Sequence, residues 1–254
     1  MAIRIRIYII MRLFGLIGFP LSHSFSKGFF ADKFSQEGIS GCSYENFPIP
    51  DIDQFPGLWK NNPQLEGLNV TIPYKQAVIP FLDDFSEAAK TIGAVNCIRK
   101  QGNKLTGHNT DVIGFQRSLE PLLQPQHTKA LILGAGGAAK AVKFSLQQLG
   151  IAYTEVSRKY FTDTITYESL NETIMQEHTL IINTTPVGMY PNVKEAPPIP
   201  YEFITPQHLL YDLIYNPAET QFMQNGAAKG ATVKNGHEML ILQAEASWEI
   251  WNAH

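Results

Sequence analysis

Lys75 and Asp111 are a pair of residues whose types could pass a proton. An ammonium beside a carboxylate in a sheltered site donates and relays a proton. Lys75 follows Pro73 at the start of an expected helix, the end where the backbone dipole disfavours a cation. A lysine set against that field calls for an anionic partner, and Asp111, at the opening of a later helix, is the candidate. Uncharged polar residues gather at nearby strand ends. Ser24 and Ser26 follow the first strand, Asn69 and Thr71 lie two apart on another, Asn96 ends or interrupts an apolar run, and Asn109 precedes Asp111. Asparagine is a poor strand former. Each of these alone reads as a turn former or a satisfied buried amide. Several together, beyond the carboxyl ends of strands in an α/β chain, read as a ligand site.

A second feature is Leu131-Ile132-Leu133-Gly134-Ala135-Gly136-Gly137-Ala138-Ala139. An apolar strand breaks into glycines and then into a helical run to Leu149, closed by Gly150. Gly134, Gly136 and Ala139 fit G-x-G-x-x-G/A. Small residues let a backbone approach a pyrophosphate, and the free N–H groups of the helix start face its negative charge.

The elements that must carry these groups alternate. Arg12–Phe19 is a strand, and Ser26 caps a helix bearing Phe29, Phe30 and Phe34 that stops at Gly38. Tyr44–Ile49 is a strand, Asp51–Asn62 a helix interrupted at Pro56, and the strand from Gly67 ends at Pro73. Asp83–Ile92 is helical, and Gly93–Arg99 forms a hairpin with Leu105–Asn109. A helix then runs to Leu123. Behind the glycine unit, Tyr153–Ser157, Leu180–Asn183, Leu209–Ile214 and Thr232–Lys234 are strands. Glu219–Lys229 and His237–Trp251 are helices, and no element is assigned between Lys159 and Leu180. Alternation of this kind predicts parallel sheets. The front half is complete before the glycine motif, so the expectation is an α/β chain of two domains with a cleft between them: 11–111 completed by helix 237–254, and a Rossmann-type domain over 112–236.

Bulk composition narrows the classes. Hydrophobic residues make up 44% and charged residues 17%, with a net charge of −3, as in an ordinary globular protein. No Lys/Arg block suggests nucleic acid. Cys42 and Cys97 form no framework, and His237-Glu238 lacks the second histidine of a zinc motif, so no metal site is expected. The Ile/Arg alternation of residues 1–10 reads as an exposed strand or a tail, with Met11 as a candidate start. Arg12 and the lack of a cleavage site argue against a signal peptide, and no run reaches membrane-spanning length. A cytoplasmic protein with reduced thiols is expected.

The segments His23-Ser24-Phe25-Ser26, Asn69-Val70-Thr71-Ile72-Pro73-Tyr74-Lys75, Gly93-Ala94-Val95-Asn96, Asn109-Thr110-Asp111, Gly134–Ala138 and Gly236–Ala244 resemble, in order and spacing, those of the shikimate dehydrogenase family. The resemblance runs from about Leu13 to the C-terminus. It implies reversible NADP-dependent reduction of 3-dehydroshikimate to shikimate in aromatic amino-acid biosynthesis. Lys75 and Asp111 would be the catalytic pair, and Ser24 and Ser26 would hold the substrate carboxylate. Asn69, Thr71, Asn96 and Gln243 would bind ring hydroxyls, with Tyr215 nearby. The cofactor contacts expected are Gly134, Ala135, Gly136, Gly137, Ala138, Ser157, Arg158, Lys159, Thr184, Pro186, Met189, Leu213 and Gly236, with the proline-rich loop from Pro186 to Pro206 bordering the nicotinamide. Members of the family occur as monomers and dimers.

Cofactor choice is also legible directly. NAD-binding folds place an acid at the end of the second strand for the ribose 2′-OH. Here that strand ends Ser157-Arg158-Lys159. A guanidinium there can stack on adenine and pair with a 2′-phosphate. The family's usual N-R-[TS] is matched in part, Lys27 replaces its usual proline, and the last helix opens as Asn235-Gly236-His237-Glu238. Three rivals are weighed. A quinate/shikimate dehydrogenase using NAD or NADP would differ around Ser24 and Ser26. A methylenetetrahydrofolate dehydrogenase would leave those serines unexplained. A non-catalytic metabolite sensor would be expected to lose Lys75 or Asp111.

Overall fold

A computed structural model of the chain describes residues 11–21, 24–160 and 162–253. The expectations for residues 1–10 and His23 lie outside the described residues. The chain divides into two compact units, one of residues 1–110 with 244–254 and one of 111–243. Each is built on a six-stranded sheet.

In the first unit the elements are β1 (Arg12–Gly18), α1 (Phe25–Gln36), β2 (Cys42–Pro48), α2 (Phe55–Asn61), β3 (Leu65–Val70), α3 (Tyr74–Ala77), β4 (Asp84–Phe85), α4 (Glu87–Ile92), β5 (Cys97–Gln101) and β6 (Lys104–His108). The strand order is β2-β1-β3-β5-β6-β4. β1 runs parallel to β2 and β3, but β5 is antiparallel to both β3 and β6, so this sheet is mixed and not parallel throughout. The cause is the tight hairpin at Gly102-Asn103, where Gln101 pairs with Lys104 and Gly102 takes φ +59°. Alternation along β1 sends Leu13 and Ile17 to one core and Phe14 and Leu16 to another. The second core gathers Phe30, Phe34, Tyr44 and Cys97 under Trp251, which stacks on Phe14 with ring centroids 4.8 Å apart.

Three local expectations change. Ser24, not Ser26, is the N-cap of α1, and its side chain makes no capping bond. Pro56 sits in the first turn of α2, where its missing N–H is harmless, and so it opens a helix instead of interrupting one. Asp84–Phe85 pair with β6 as a strand, and the helix starts only after Ser86, whose hydroxyl accepts from the Ala89 N–H.

The second unit comprises α5 (Thr110–Leu119, its first residue assigned to the first unit), β7 (Lys129–Leu133), α6 (Gly137–Gln148), β8 (Ala152–Ser157), β9 (Thr164–Thr166), α7 (Glu172–Glu177), β10 (Leu180–Asn183), β11 (Leu209–Asp212), α8 (Gln221–Ala227), β12 (Thr232–Lys234) and the start of α9 (His237–Asn252). β9 and α7 fill the stretch left unassigned from sequence. All strands are parallel, in the order β12-β11-β10-β7-β8-β9. Ala130, Ile132, Leu180, Ile182, Leu209 and Tyr211 pack on one face, and Leu131, Leu133, Ile181 and Leu210 on the other. Apolar cover on both faces explains why β7, β10 and β11 read as near-continuous apolar runs.

Candidate active site

The first sheet brings most of the sequence-predicted substrate residues to one end. Ser24 and Ser26 follow the carboxyl end of β1, and Thr71 and Lys75 follow that of β3. Asn96 precedes β5, which runs the other way, and Asn109 with Thr110 follows β6. Asp111 is the second residue of α5. Lys75 is half-buried on α3. That short helix is fixed by its own first residue: the Tyr74 hydroxyl donates to the Ile49 carbonyl at 2.6 Å, and the Lys75 carbonyl accepts from the Val95 N–H at 2.7 Å.

A buried chain of hydrogen bonds links these positions. The Tyr44 hydroxyl donates to Asn69 Oδ1 at 2.8 Å. Asn69 Nδ2 donates to Ser247 Oγ at 2.8 Å and to the Asn96 carbonyl at 3.3 Å. Ser247 Oγ lies 3.3 Å from Thr110 Oγ1, and the Thr110 N–H donates to Asn96 Oδ1 at 2.6 Å. Asn96 therefore caps the N-terminus of α5, one residue before Asp111. Both amide hydrogens of Asn69 are engaged, so this residue braces the site from beneath. Asn109 is likewise tied, donating to the Ala94 carbonyl at 3.0 Å. By contrast Ser24 Oγ is buried with no partner among the described residues. Burial drives the Tyr44 phenol well above its ordinary pKa, so it stays a neutral donor.

Tyr44, Thr110 and Ser247 were not singled out from sequence. The bonds from Asn69 to Tyr44 and Ser247 span 25 and 178 residues, and no local pattern signals pairs so distant. Burial pushes the Cys97 thiol up to about 12 and also raises that of Cys42, which disfavours the reactive thiolate at both. Among the described residues no cluster of His, Cys, Asp and Glu is arranged to hold a metal ion. No helix there is long and apolar enough to cross a membrane.

In the second unit the candidate cofactor residues lie beyond the carboxyl ends of the parallel strands. Gly134 takes φ +103°, with the Thr184 hydroxyl donating to the Leu133 carbonyl at 2.7 Å beside it. Gly136 is the N-cap of α6, and nothing lies within 4 Å of where a Cβ would stand on Gly136 or Gly137. Ala135 to Ala138 present exposed backbone there, while Ala139 is fully buried against the core. The start of this helix is left open, the kind of surface to which a pyrophosphate can come close. At the end of β8 the Ser157 hydroxyl donates to the Lys159 carbonyl and accepts from the Lys159 N–H. That turn presents Arg158 and Lys159 outward. The one acid of β8, Glu155, is buried and paired with Lys143 at 2.7 Å, so no carboxylate of this strand stands at the 2′ position. Pro186, Met189 and Tyr215 are exposed on loops after β10 and β11. Gly236 lies against Leu213: a Cβ on Gly236 would meet the Leu213 carbonyl oxygen at 2.1 Å, and the Gly236 N–H donates to the Ile214 carbonyl at 3.0 Å. Gln243 lies on α9, its amide donating to the Leu240 carbonyl at 2.9 Å.

A parallel sheet in this order, with a glycine turn opening the helix after its central strand, is the doubly wound dinucleotide-binding fold. Residues 16–98 match the model of the shikimate dehydrogenase substrate binding domain. The chain is 38% identical over 260 residues to a shikimate dehydrogenase (NADP(+)) of Desulforamulus reducens, covering 93% of this chain and 88% of that protein. It is similar in structure to a chorismate mutase/shikimate 5-dehydrogenase fusion protein from Clostridium acetobutylicum (TM-score 0.84, 35% identity, 95% of this chain and 91% of that chain). It is also similar to shikimate 5-dehydrogenase from Thermus thermophilus in complex with NADP(H) and shikimate (TM-score 0.82, 31% identity, 95% and 94%). The chain belongs to the shikimate dehydrogenase family.

Proposed function

We propose that this protein is an NADP-dependent shikimate dehydrogenase, reversibly reducing 3-dehydroshikimate to shikimate for aromatic amino-acid biosynthesis. The observation that carries the proposal is the end of the first sheet, where the segments bearing Ser24, Thr71, Lys75, Asn96 and Asn109 all lie and Ser24 Oγ is buried without a partner among the described residues. We assign substrate binding to 11–111 with 237–254, and cofactor binding to 112–236. The relatives named for NADP(+), and the Arg158-Lys159 turn that replaces the ribose-binding acid, support NADP over NAD. The protein acts on a small molecule in the cytoplasm, as a monomer or homodimer. A net charge of −3 without a basic block fits the absence of a nucleic-acid partner.

NADPH, when bound, supplies a hydride to the substrate carbonyl. The rest falls to side chains. The Lys75 ammonium stabilises the negative charge that develops on the carbonyl oxygen and delivers the proton it needs. Asp111, held at the capped start of α5, orients Lys75 and accepts from a neighbouring ring hydroxyl. Ser24 and Ser26 donate to the substrate carboxylate, and the Ser24 hydroxyl, buried without a partner among the described residues, gains one there. Thr71, Asn96 and Gln243 take the remaining ring hydroxyls, with Tyr215 beside them and Asn69 positioning the group. Gly134 to Ala138 hold the pyrophosphate, Ser157, Arg158 and Lys159 the 2′-phosphate, and Thr184, Pro186, Met189, Leu213 and Gly236 the nicotinamide end.

Following NADP⁺ reduction by absorbance, first with shikimate and then with quinate, tests the proposal. Turnover of shikimate with a clear preference for NADP⁺ supports it. Equal kcat/KM for shikimate and quinate, or for NADP⁺ and NAD⁺, identifies a broader quinate/shikimate enzyme. No turnover of either acid overturns it.

A further inference from the structure

One buried carboxylate has no part in the chemistry above. Asp212, the last residue of β11, is fully buried, and so are Asn183 and Thr220 beside it. Asn183 is its direct neighbour across the parallel pair β10 and β11. Asp212 Oδ1 accepts from Asn183 Nδ2 at 3.0 Å and from the Ile214 N–H at 3.1 Å, and Oδ2 accepts from Thr220 Oγ1 at 2.6 Å. A buried charge is expensive, so a fold that only had to close a strand end would do better with neutral groups. A carboxylate offers acceptors alone, on two oxygens, and here the donors come from the end of β10, from its own chain two residues on and from the cap of α8.

Each donor leads to a loop at the carboxyl edge of the sheet. Asn183 Oδ1 accepts from the Thr185 N–H at 3.0 Å and the Thr185 hydroxyl at 2.7 Å, and that hydroxyl accepts from the Val187 N–H at 3.3 Å. Ile214 continues into Tyr215, and its carbonyl accepts from Gly236. Thr220 caps α8 and closes the loop that begins at Leu213. Thr184, Pro186, Met189, Leu213 and Gly236, the residues assigned to the nicotinamide end, stand on the segments these bonds hold.

We propose that Asp212 is a positioning residue for the cofactor, its carboxylate locking the ends of β10, β11 and β12 in the arrangement that receives the nicotinamide half. This rests on the second unit being the NADP-binding one. Burial pushes the Asp212 carboxyl up to about 6 in spite of its three donors, so at neutral pH it is charged and accepts from all of them.

The test titrates NADPH into wild type, Asp212→Ala, Asp212→Asn and Thr220→Val by cofactor fluorescence, and measures KM for NADP⁺ and for shikimate in each. Asp212→Ala should weaken NADPH binding about tenfold, the scale of one buried polar group left unpaired, with shikimate KM unchanged. Asp212→Asn keeps one acceptor oxygen for Asn183 and Ile214 and should restore most of that affinity. Thr220→Val, which leaves Oδ2 without its donor, should weaken NADPH in the same sense and keeps the question answerable if Asp212→Ala does not fold. A merely structural role would lower kcat through a smaller active fraction and leave the NADP⁺ KM alone; that pattern overturns the proposal. So do an Asp212→Asn no better than alanine and a Thr220→Val that binds as wild type does. A wild type that binds NADPH but turns over no shikimate refutes the assigned activity alone, whereas one that binds no NADPH overturns both.

Discussion

Replacing Tyr44 by Phe and Ser247 by Ala cuts the buried chain beneath the substrate site on either side of the Asn69 amide. Asn69 is 5% exposed. Without the Tyr44 hydroxyl its Oδ1 loses a donor 2.8 Å away, and without the Ser247 hydroxyl one Nδ2 hydrogen loses its acceptor at the same distance. A buried polar group left unsatisfied costs about 1–3 kcal/mol, which sets the expected loss for each single change. Once either anchor is gone the amide is free to turn toward what remains, so the second change removes less than it does alone. The double mutant should fall short of the sum by about 0.5–2 kcal/mol. The protein carries its own probe, since Trp59, Trp248 and Trp251, all its tryptophans, lie in the first unit. Urea unfolding followed by tryptophan fluorescence therefore reports that unit, and a constant slope across the four proteins licenses the comparison. Shikimate KM should rise in both single mutants while NADP⁺ KM holds. Additivity within about 0.3 kcal/mol would mean that the amide does not couple its neighbours, and a rise confined to NADP⁺ KM would place the network on the wrong substrate.

Four further outcomes are expected. Lys75→Ala should lower kcat far more than it raises shikimate KM, and near-normal kcat removes the lysine from the chemistry. Arg158→Ala should raise KM for NADP⁺ and leave that for NAD⁺ almost unchanged, narrowing the ratio of kcat/KM between the two cofactors; a preserved ratio assigns selectivity elsewhere. Gly236→Ala drives a methyl onto the Leu213 carbonyl and should destabilise the second unit by about 1–3 kcal/mol, visible as a lowered Tm. The Asp212 carboxyl is raised in the folded state from 3.8 to about 6, so the native protein binds the proton more tightly than the unfolded chain. Its contribution to stability therefore grows as pH falls from 6 toward 4, by about 3 kcal/mol at most for a shift of roughly two units. Urea titrations of wild type against the non-ionising Asp212→Asn across that range measure it, and parallel pH profiles would contradict the raised value.

The sequence is most legible where local pattern and long-range structure agree. In the second sheet, β7, β10 and β11 could be read because burial on both faces makes each a near-unbroken apolar run, ended by Gly134, Asn183 and Asp212. β9 escaped because Thr164-Ile165-Thr166 is three residues long in a polar stretch, and α7 because its six residues span fewer than two turns. In the first unit, alternation between strand and helix predicted parallel pairing, yet the hairpin leaves one strand, β5, reversed. That reversal puts the start of β5 at the same sheet end as the finish of β3, and so brings Asn96 beside Asn69. The candidate side chains were visible through their motifs. The groups that hold them, Tyr44, Thr110, Ser247 and Asp212, were not, because their worth lies in partners far along the chain. An acid inside the apolar run Leu209-Leu210-Tyr211-Asp212-Leu213-Ile214 was the one local hint.

The return of the chain to its first sheet orders events during synthesis. Residues 244–254 close the layer in which Phe14, Phe30 and Tyr44 meet Trp251, and they leave the ribosome after everything they pack against. Residues 111–243 are already available to fold by then. Until that segment arrives, a nascent front half displays an aromatic surface to solvent. Termination before residue 244 therefore strands a sticky fragment, and holdase chaperones should engage the growing polypeptide most strongly just before this last stretch emerges.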